Sequence, residues 1–264
     1  MSALGYAGIE IAPFTLSSDP AMLDATARRH ISETLRKRSL EFVGLHWLLA
    51  APEGLHATAR DESVRRRTWD YVHHLIDLCA DLASPNDESQ CVMVFGSPKQ
   101  RSSRDGMSPK EATDVFVHEL AHIAPHAESR GVTILVEALP ANQSDIVNSL
   151  ADAACIVKQI GSPAVQTMFD VHNAIDETEA HTELVRKYAA HIRHVHVNEL
   201  DGREPGMGDY DFAPLLNTLS DIHYRGWISV EAFDFTRDPV EIARRSITRL
   251  QECIQPKMVH KQAI

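Results

Sequence analysis

Residues 133–199, TILVEALPANQSDIVNSLADAACIVKQIGSPAVQTMFDVHNAIDETEAHTELVRKYAAHIRHVHVNE, decide the fold class. Three short, mostly apolar runs stand in this stretch, at 133–140 (TILVEALP), 165–172 (VQTMFDVH) and 191–199 (HIRHVHVNE). Runs of that kind suit strands buried on both faces. Between them, 144–159 and 177–190 space their apolar residues at a helical period, and Gly161 falls where a helix ends in a left-handed residue. Strand, helix, strand, helix, strand without a break reads as a parallel sheet with crossover helices.

The same rhythm extends both ways. Upstream lie the runs 8–13 (GIEIAP), 41–49 (EFVGLHWLL) and 91–98 (CVMVFGSP), and downstream lies 227–233 (WISVEAF). Helical spacing recurs over 64–82, 109–129 and 211–219, and a last helix opens at Asp238-Pro239. Ser108-Pro109 followed by Glu111 is a strong start signal, and Gly131 closes that helix. The expectation is α/β, a TIM-type (β/α) barrel of seven recognisable strands, lacking the first strand of a closed eight. Residues 1–6 read as the end of a helix running into strand 8–13. One barrel domain over 1–254 and a polar, peripheral C-terminal tail over 255–264 complete the layout. A seam between first and last strands would leave edges that are a natural place for a second copy, which leaves both a monomer and a homo-oligomer open.

The 264 residues carry a formal net charge of -11, which opposes a nucleic-acid or anionic-membrane partner. The four cysteines, Cys79, Cys91, Cys155 and Cys253, are far apart and form no C-x-x-C pair. They read as free, buried thiols in a reducing compartment. With no basic-then-apolar leader at the N-terminus and no run of about 20 apolar residues, the expected location is the cytoplasm.

Active sites of β/α-barrels lie at the C-terminal ends of the strands. Four successive strand ends give Glu137, Asp170, His196 and Glu231. Three carboxylates and an imidazole at one mouth suit one divalent ion, Mn²⁺, Mg²⁺, Co²⁺ or Zn²⁺. Without a cation, three buried carboxylates would repel one another.

The segments GYAGIEIAPF, GLHWLL, VFGSPKQR, ILVEALP, MFDVHNA, HVHVNE, PGMGDYDF and GWISVEAF, spread from Gly5 to Phe233, give the chain a family resemblance. It resembles the sugar phosphate isomerase/epimerase family with the xylose isomerase-like TIM barrel. That family includes ketose 3-epimerases, hydroxypyruvate isomerase and inosose dehydratase, and is related to endonuclease IV. The resemblance implies that Glu137, Asp170, His196 and Glu231 bind the ion, and that Glu137 and Glu231 also form the catalytic acid/base pair. It implies a metal-dependent isomerase or epimerase of a sugar or small hydroxy-carbonyl compound, with proton transfer through an enediolate. A dehydratase on the same metal site and a non-catalytic sugar-binding barrel are the alternatives. A hydrolase related to endonuclease IV would need more histidine ligands and a basic face. The chain departs from the epimerase pattern twice. A histidine expected three residues after the aspartate is replaced by Asn173, with His172 one place earlier. An arginine expected at position 202 is Gly202, with Arg203 next to it.

Other residues read as pocket or surface. His46, Trp47, Lys99, His172 and Arg203 are candidate substrate-binding groups, and Arg101 joins Lys99 as a hand for a phosphate or carboxylate. His194, two residues before His196 on the same strand face, reads as a group one layer deeper that supports it. Pro205-Gly206-x-Gly208 is a turn or a loop that folds over substrate. His118-Glu119-x-x-His122 matches a zinc-protease spacing, but both histidines lie off the apolar stripe of their helix and face outward. His73 and His74 have no partner motif and read as surface residues.

Overall fold

The computed structural model describes residues 1–83 and 91–254; the tail expected over 255–264 lies outside the described residues. Seven parallel strands form one sheet in sequence order, β1 (Gly8–Ile11), β2 (Glu41–Leu45), β3 (Cys91–Phe95), β4 (Val132–Val136), β5 (Val165–Asp170), β6 (Ile192–Val197) and β7 (Trp227–Val230). The sheet curls into a nearly closed TIM barrel. Its end strands β1 and β7 flank a cavity of about 730 Å³, lined by Gly8, Glu10, Trp227, Ser229 and Glu231 among others.

Helices pack on the outer wall: α1 (Ala25–Lys37), α2 (Glu62–Leu82), the short α3 (Pro98–Arg101), α4 (Pro109–Ser129), α5 (Leu150–Ile160), α6 (His181–Tyr188), α7 (Phe212–Asp221) and α8 (Pro239–Ile254). None of the described helices is long and apolar enough to cross a membrane. The period-two rule sorts each strand between two cores. Val92 and Val94 of β3 join Val43, Leu135 and Met168 inside the barrel, with Trp227 packed on them. Cys91, Met93 and Phe95 face outward and meet Trp69, Phe116 and Leu120 of α2 and α4. A second outer core, with Phe169, Val195, Val197, Leu184 and Phe212, lies under α6 and α7.

Local chemistry explains the boundaries. Ser108 and Glu111 form the expected capping box on α4, and Gly131 and Gly161 follow their helices at φ 67° and 69°. The helix expected over 144–159 starts only at Leu150. Ser149 and Asp152 build a capping box there, and the Asn148 amide holds the preceding loop by donating to Leu139 O and Ser144 O. The helix expected over 177–190 is shortened to α6. Residues 1–6 hold a single 3-10 turn, Ser2–Leu4, in place of a helix end. α1, capped by Asp24, has no fully buried residue, and its weak apolar stripe escaped the periodicity. Cys79 and Cys91 are buried as expected, whereas Cys155 is exposed and Cys253, half-buried, packs against the core that holds Leu215 and Leu219.

Candidate active site

Register brings the strand ends level. Between β5 and β6 the pairing shifts, so that Thr167 faces Ile192 but Asp170 faces His196. The extra residue on β6 is a bulge, a device that re-aims side chains. Donor atoms of Glu137, Asp170, His196 and Glu231 thereby fall within 4.8 Å of one another. His196 Nδ1 lies 3.0 Å from Glu231 Oε2 and 3.4 Å from Asp170 Oδ2.

Each carboxylate is held from outside the cluster. Glu137 Oε1 accepts from the Asn173 amide at 3.0 Å, while its Oε2 lies so close to where a Cβ on Gly96 would stand that any larger residue at 96 would displace the carboxylate. Asp170 Oδ1 accepts from Asn173 N at 2.8 Å and from Asn198 Nδ2 at 3.4 Å. Glu231 Oε1 accepts from Trp47 Nε1 at 3.1 Å and lies 3.3 Å from His46 Nδ1. Trp47 takes φ 53°, a left-handed backbone unusual for so large a residue, and such strain gathers at functional sites.

Behind the cluster stands Glu10, which the sequence reading missed. Its Oε2 lies 3.0 Å from His196 Nε2 and 3.1 Å from His194 Nε2, and all three side chains are shut away from solvent. His194 is therefore one layer deeper, as expected, and shares its carboxylate with His196. The available signal was a lone acidic residue in the apolar run GIEIAP.

Burial pushes the Glu137 carboxyl up to about 8, with the charges of Glu231 and Asp170 adding to the rise. Burial acts the same way on Glu231, but His196 and then His46 outweigh it and hold the group far below the carboxylate range. For His196, burial disfavours the cation, yet Glu10, Glu231 and Asp170 raise it well above the ordinary imidazole value. Glu10 is lowered, because His194 and His196 overcome its burial. Two acidic groups a few ångströms apart are thus driven in opposite directions.

The donor set fits a cation. His196 Nδ1 is buried among carboxylate oxygens, 3.0 Å from Glu231 Oε2 but without the alignment of a hydrogen bond, and Oδ1 of Asn173, whose amide holds Glu137, is also unpartnered. An imidazole nitrogen left without a hydrogen bond amid three carboxylates is what a divalent ion would satisfy.

Aromatic rings form a rim around these groups. Trp47 stacks on Phe233 at 6.3 Å and meets Phe14 and Phe235 at 6.2 Å each. His172 packs on Phe233 at 5.4 Å, with its Nδ1 2.7 Å from Leu200 O. His46 and Trp47 thus stand at the strand-end cluster, and His172 on the aromatic rim beside Phe233. Arg203 is turned to Asp201, with its Nη2 2.6 Å from that carboxylate, and Lys99 is exposed on α3. Arg101 is not the anion hand its position suggested. The turn of α3 buries it completely, where Nη1 donates to Phe95 O at 2.8 Å and the guanidinium lies over Phe116. The loop holding Pro205-Gly206-x-Gly208 is fastened from within, since buried Glu199 accepts from Gly206 N at 2.8 Å and from Tyr210 N at 3.1 Å. On α4, His118 and His122 are exposed and Glu119 pairs with Arg65 at 3.1 Å, so the protease-like spacing faces solvent.

Comparison with known proteins agrees with this architecture. The chain is 24% identical over 229 residues to L-ribulose 3-epimerase of Mesorhizobium japonicum, covering 86% of this chain and 72% of that one. It is 31% identical to D-psicose 3-epimerase of Enterocloster bolteae, but over 118 residues, 44% of this chain and 39% of the relative. A solved structure of 3-keto-D-glucoside 4-epimerase from E. coli superposes with a TM-score of 0.80 at 18% identity, covering 96% and 91% of the two chains. At that identity the likeness concerns the fold alone. The family described as the xylose isomerase-like TIM barrel matches residues 1–253, and the chain belongs to that family.

Proposed function

We propose that this chain is a metal-dependent epimerase or isomerase of a sugar or small hydroxy-carbonyl compound. The observation that carries the reading is the convergence of three carboxylates on His196 Nδ1, a buried nitrogen that makes no hydrogen bond. Glu137, Asp170, His196 and Glu231 would hold one divalent ion. When bound, such an ion supplies Lewis-acid stabilisation for charge developing on a substrate oxygen.

The residues do the rest. A proton on carbon beside a carbonyl is too weakly acidic for an unaided carboxylate, so base and charge stabilisation must act together. In this reading one of Glu137 and Glu231 removes that proton, leaving an enediolate, and the other returns one. Asn173 fixes Glu137, while His46 and Trp47 fix Glu231. Phe14, Trp47 and Phe233 offer apolar faces against which the C–H side of a sugar can lie while water is excluded. The relatives named as ketose epimerases support a sugar as the substrate class.

The test is incubation with Mn²⁺ and a ketose panel in D₂O. The expected result is deuterium on the carbon beside the carbonyl of recovered sugar, together with a new epimer or isomer. A product lighter by one water would move the assignment to a dehydratase, and no exchange with any sugar would refute it.

Glu10 supplies a second prediction. A carboxylate behind a metal-binding histidine orients the ring and raises its basicity. Glu10→Gln is expected to weaken Mn²⁺ binding by about 10–100-fold while every strand-end carboxylate remains in place. Unchanged affinity by calorimetry would remove Glu10 from this role.

A further inference from the structure

On the outer wall, away from the strand ends, α2 and α4 lie side by side and bring a second donor set together. His73 and Asp77 are four residues apart on α2, hence on one face. His126 reaches them from α4, and its ring stacks on that of His73 with centroids 3.6 Å apart and planes 13° from parallel. Asp77 Oδ1 lies 3.0 Å from His126 Nε2, and Asp77 Oδ2 lies 3.9 Å from His73 Nδ1. One donor atom from each residue falls within 4.8 Å of the other two.

Those separations matter because bonds of about 2.0–2.1 Å to a tetrahedral ion place its donor atoms about 3.4 Å apart. The two rings must leave their stack to reach that arrangement, because an imidazole lone pair lies in its ring plane and parallel rings cannot both aim at one ion. Rotation about the bonds of three partly exposed side chains supplies that movement. Their exposures are 48% for His73, 31% for Asp77 and 25% for His126, so an ion can reach them from solvent. Burial, and then the neighbouring His126, lower the His73 imidazole and so favour its neutral, metal-binding form. His74 is already engaged, its Nδ1 2.7 Å from Asp70 O. Arg130 competes, with Nε 3.0 Å from Asp77 Oδ1, but its Nη2 also pairs with Asp81 at 2.7 Å and keeps that partner if Asp77 turns away. His122 lies one turn before His126 on α4 and is exposed, so a fourth ligand stands close by in sequence.

We propose that His73, Asp77 and His126 form a second cation site, which takes a borderline divalent ion of the zinc class and clips α2 to α4. Two imidazoles and one carboxylate favour zinc, nickel or copper, whereas the carboxylate-rich strand ends suit harder ions. The clip is independent of the reaction proposed above.

The test is a Zn²⁺ titration of the full chain against a chromophoric chelator, comparing wild type with the His73→Ala/His126→Ala double variant. The variant is expected to bind one zinc equivalent fewer, whatever the strand ends hold, and to lose a zinc-dependent rise in Tm. Asp77→Asn is expected to weaken the same equivalent more than tenfold, and His118→Ala, on α4 outside the set, to keep it. All variants alter surface side chains, and circular dichroism verifies their folding. An unchanged zinc count in the double variant, or loss of the equivalent in His118→Ala, would overturn the site.

Discussion

Glu231→Gln and Glu137→Gln are each expected to lower kcat by about 10²–10⁴-fold, the usual contribution of a positioned acid or base. Glutamine keeps the shape and the hydrogen bonds from Trp47 or Asn173 but can neither take a proton nor offer a charged oxygen. Loss of folding is not the expected cause. Glu137 is buried against two other acidic groups, a costly arrangement that an amide relieves. Tm of Glu137→Gln should therefore equal or exceed that of the metal-stripped wild type, a stability gained at the expense of function. The pair also divides the reaction. If each glutamate serves one face of the substrate, each variant retains solvent-deuterium exchange from one epimer and loses it from the other. Full turnover in both variants would end the assignment of acid and base to these residues.

The strand-end quartet was legible because period-two strands and the barrel's polarity together say where a strand's last inward residue must go. The strand-end placement of Glu137, Asp170, His196 and Glu231 follows from local pattern, while their part as ligands is what the family resemblance implies. Glu10 does not, because its meaning depends on His196, 186 residues away across the barrel. The joining of His73 to His126 is hidden for the same reason, since two helices must dock before the rings meet. Arg101 shows the opposite failure. A basic residue after a strand reads as a mouth group, but a four-residue helix turns it under the wall to cap Phe95 O. Asn173 looked like a departure from the epimerase pattern and in the structure holds both Glu137 and Asp170. The seven strands were countable because each is short and apolar. α1 was not, because none of its residues is fully buried.

Metal uptake is expected to tighten steeply with pH. In metal-stripped protein at pH 7, Glu137 holds its proton, its carboxyl lying at about 8, and the carboxylates of Glu10, Glu231 and Asp170 shift the His196 imidazole towards its cation. Both must lose that proton to act as ligands, so binding releases up to two protons. Each proton released makes the apparent affinity tenfold tighter per pH unit, so Mn²⁺ should bind about 10–100-fold more tightly at pH 7 than at pH 6. The dependence flattens once Glu137 ionises above about pH 8. Stability of the stripped protein follows with the same sign. Glu137 is raised from 4.5, so the native state binds more protons than the unfolded chain between 4.5 and about 8, and stability falls as pH rises through that window. His196, also raised, contributes stability below 6.5 that is lost as pH climbs through its higher native value. Glu231 and Glu10 act oppositely, and the stability they contribute is lost only as pH falls below 4.5 towards their depressed native values. Calorimetry in buffers of different ionisation enthalpy counts the protons, and melting curves from pH 6 to 9 with and without Mn²⁺ read the stability. The stripped protein should lose Tm across that range while the Mn²⁺-loaded protein holds it. Zero proton release would mean that the ion does not displace the protons on Glu137 and His196, and the ligand set would have to be redrawn.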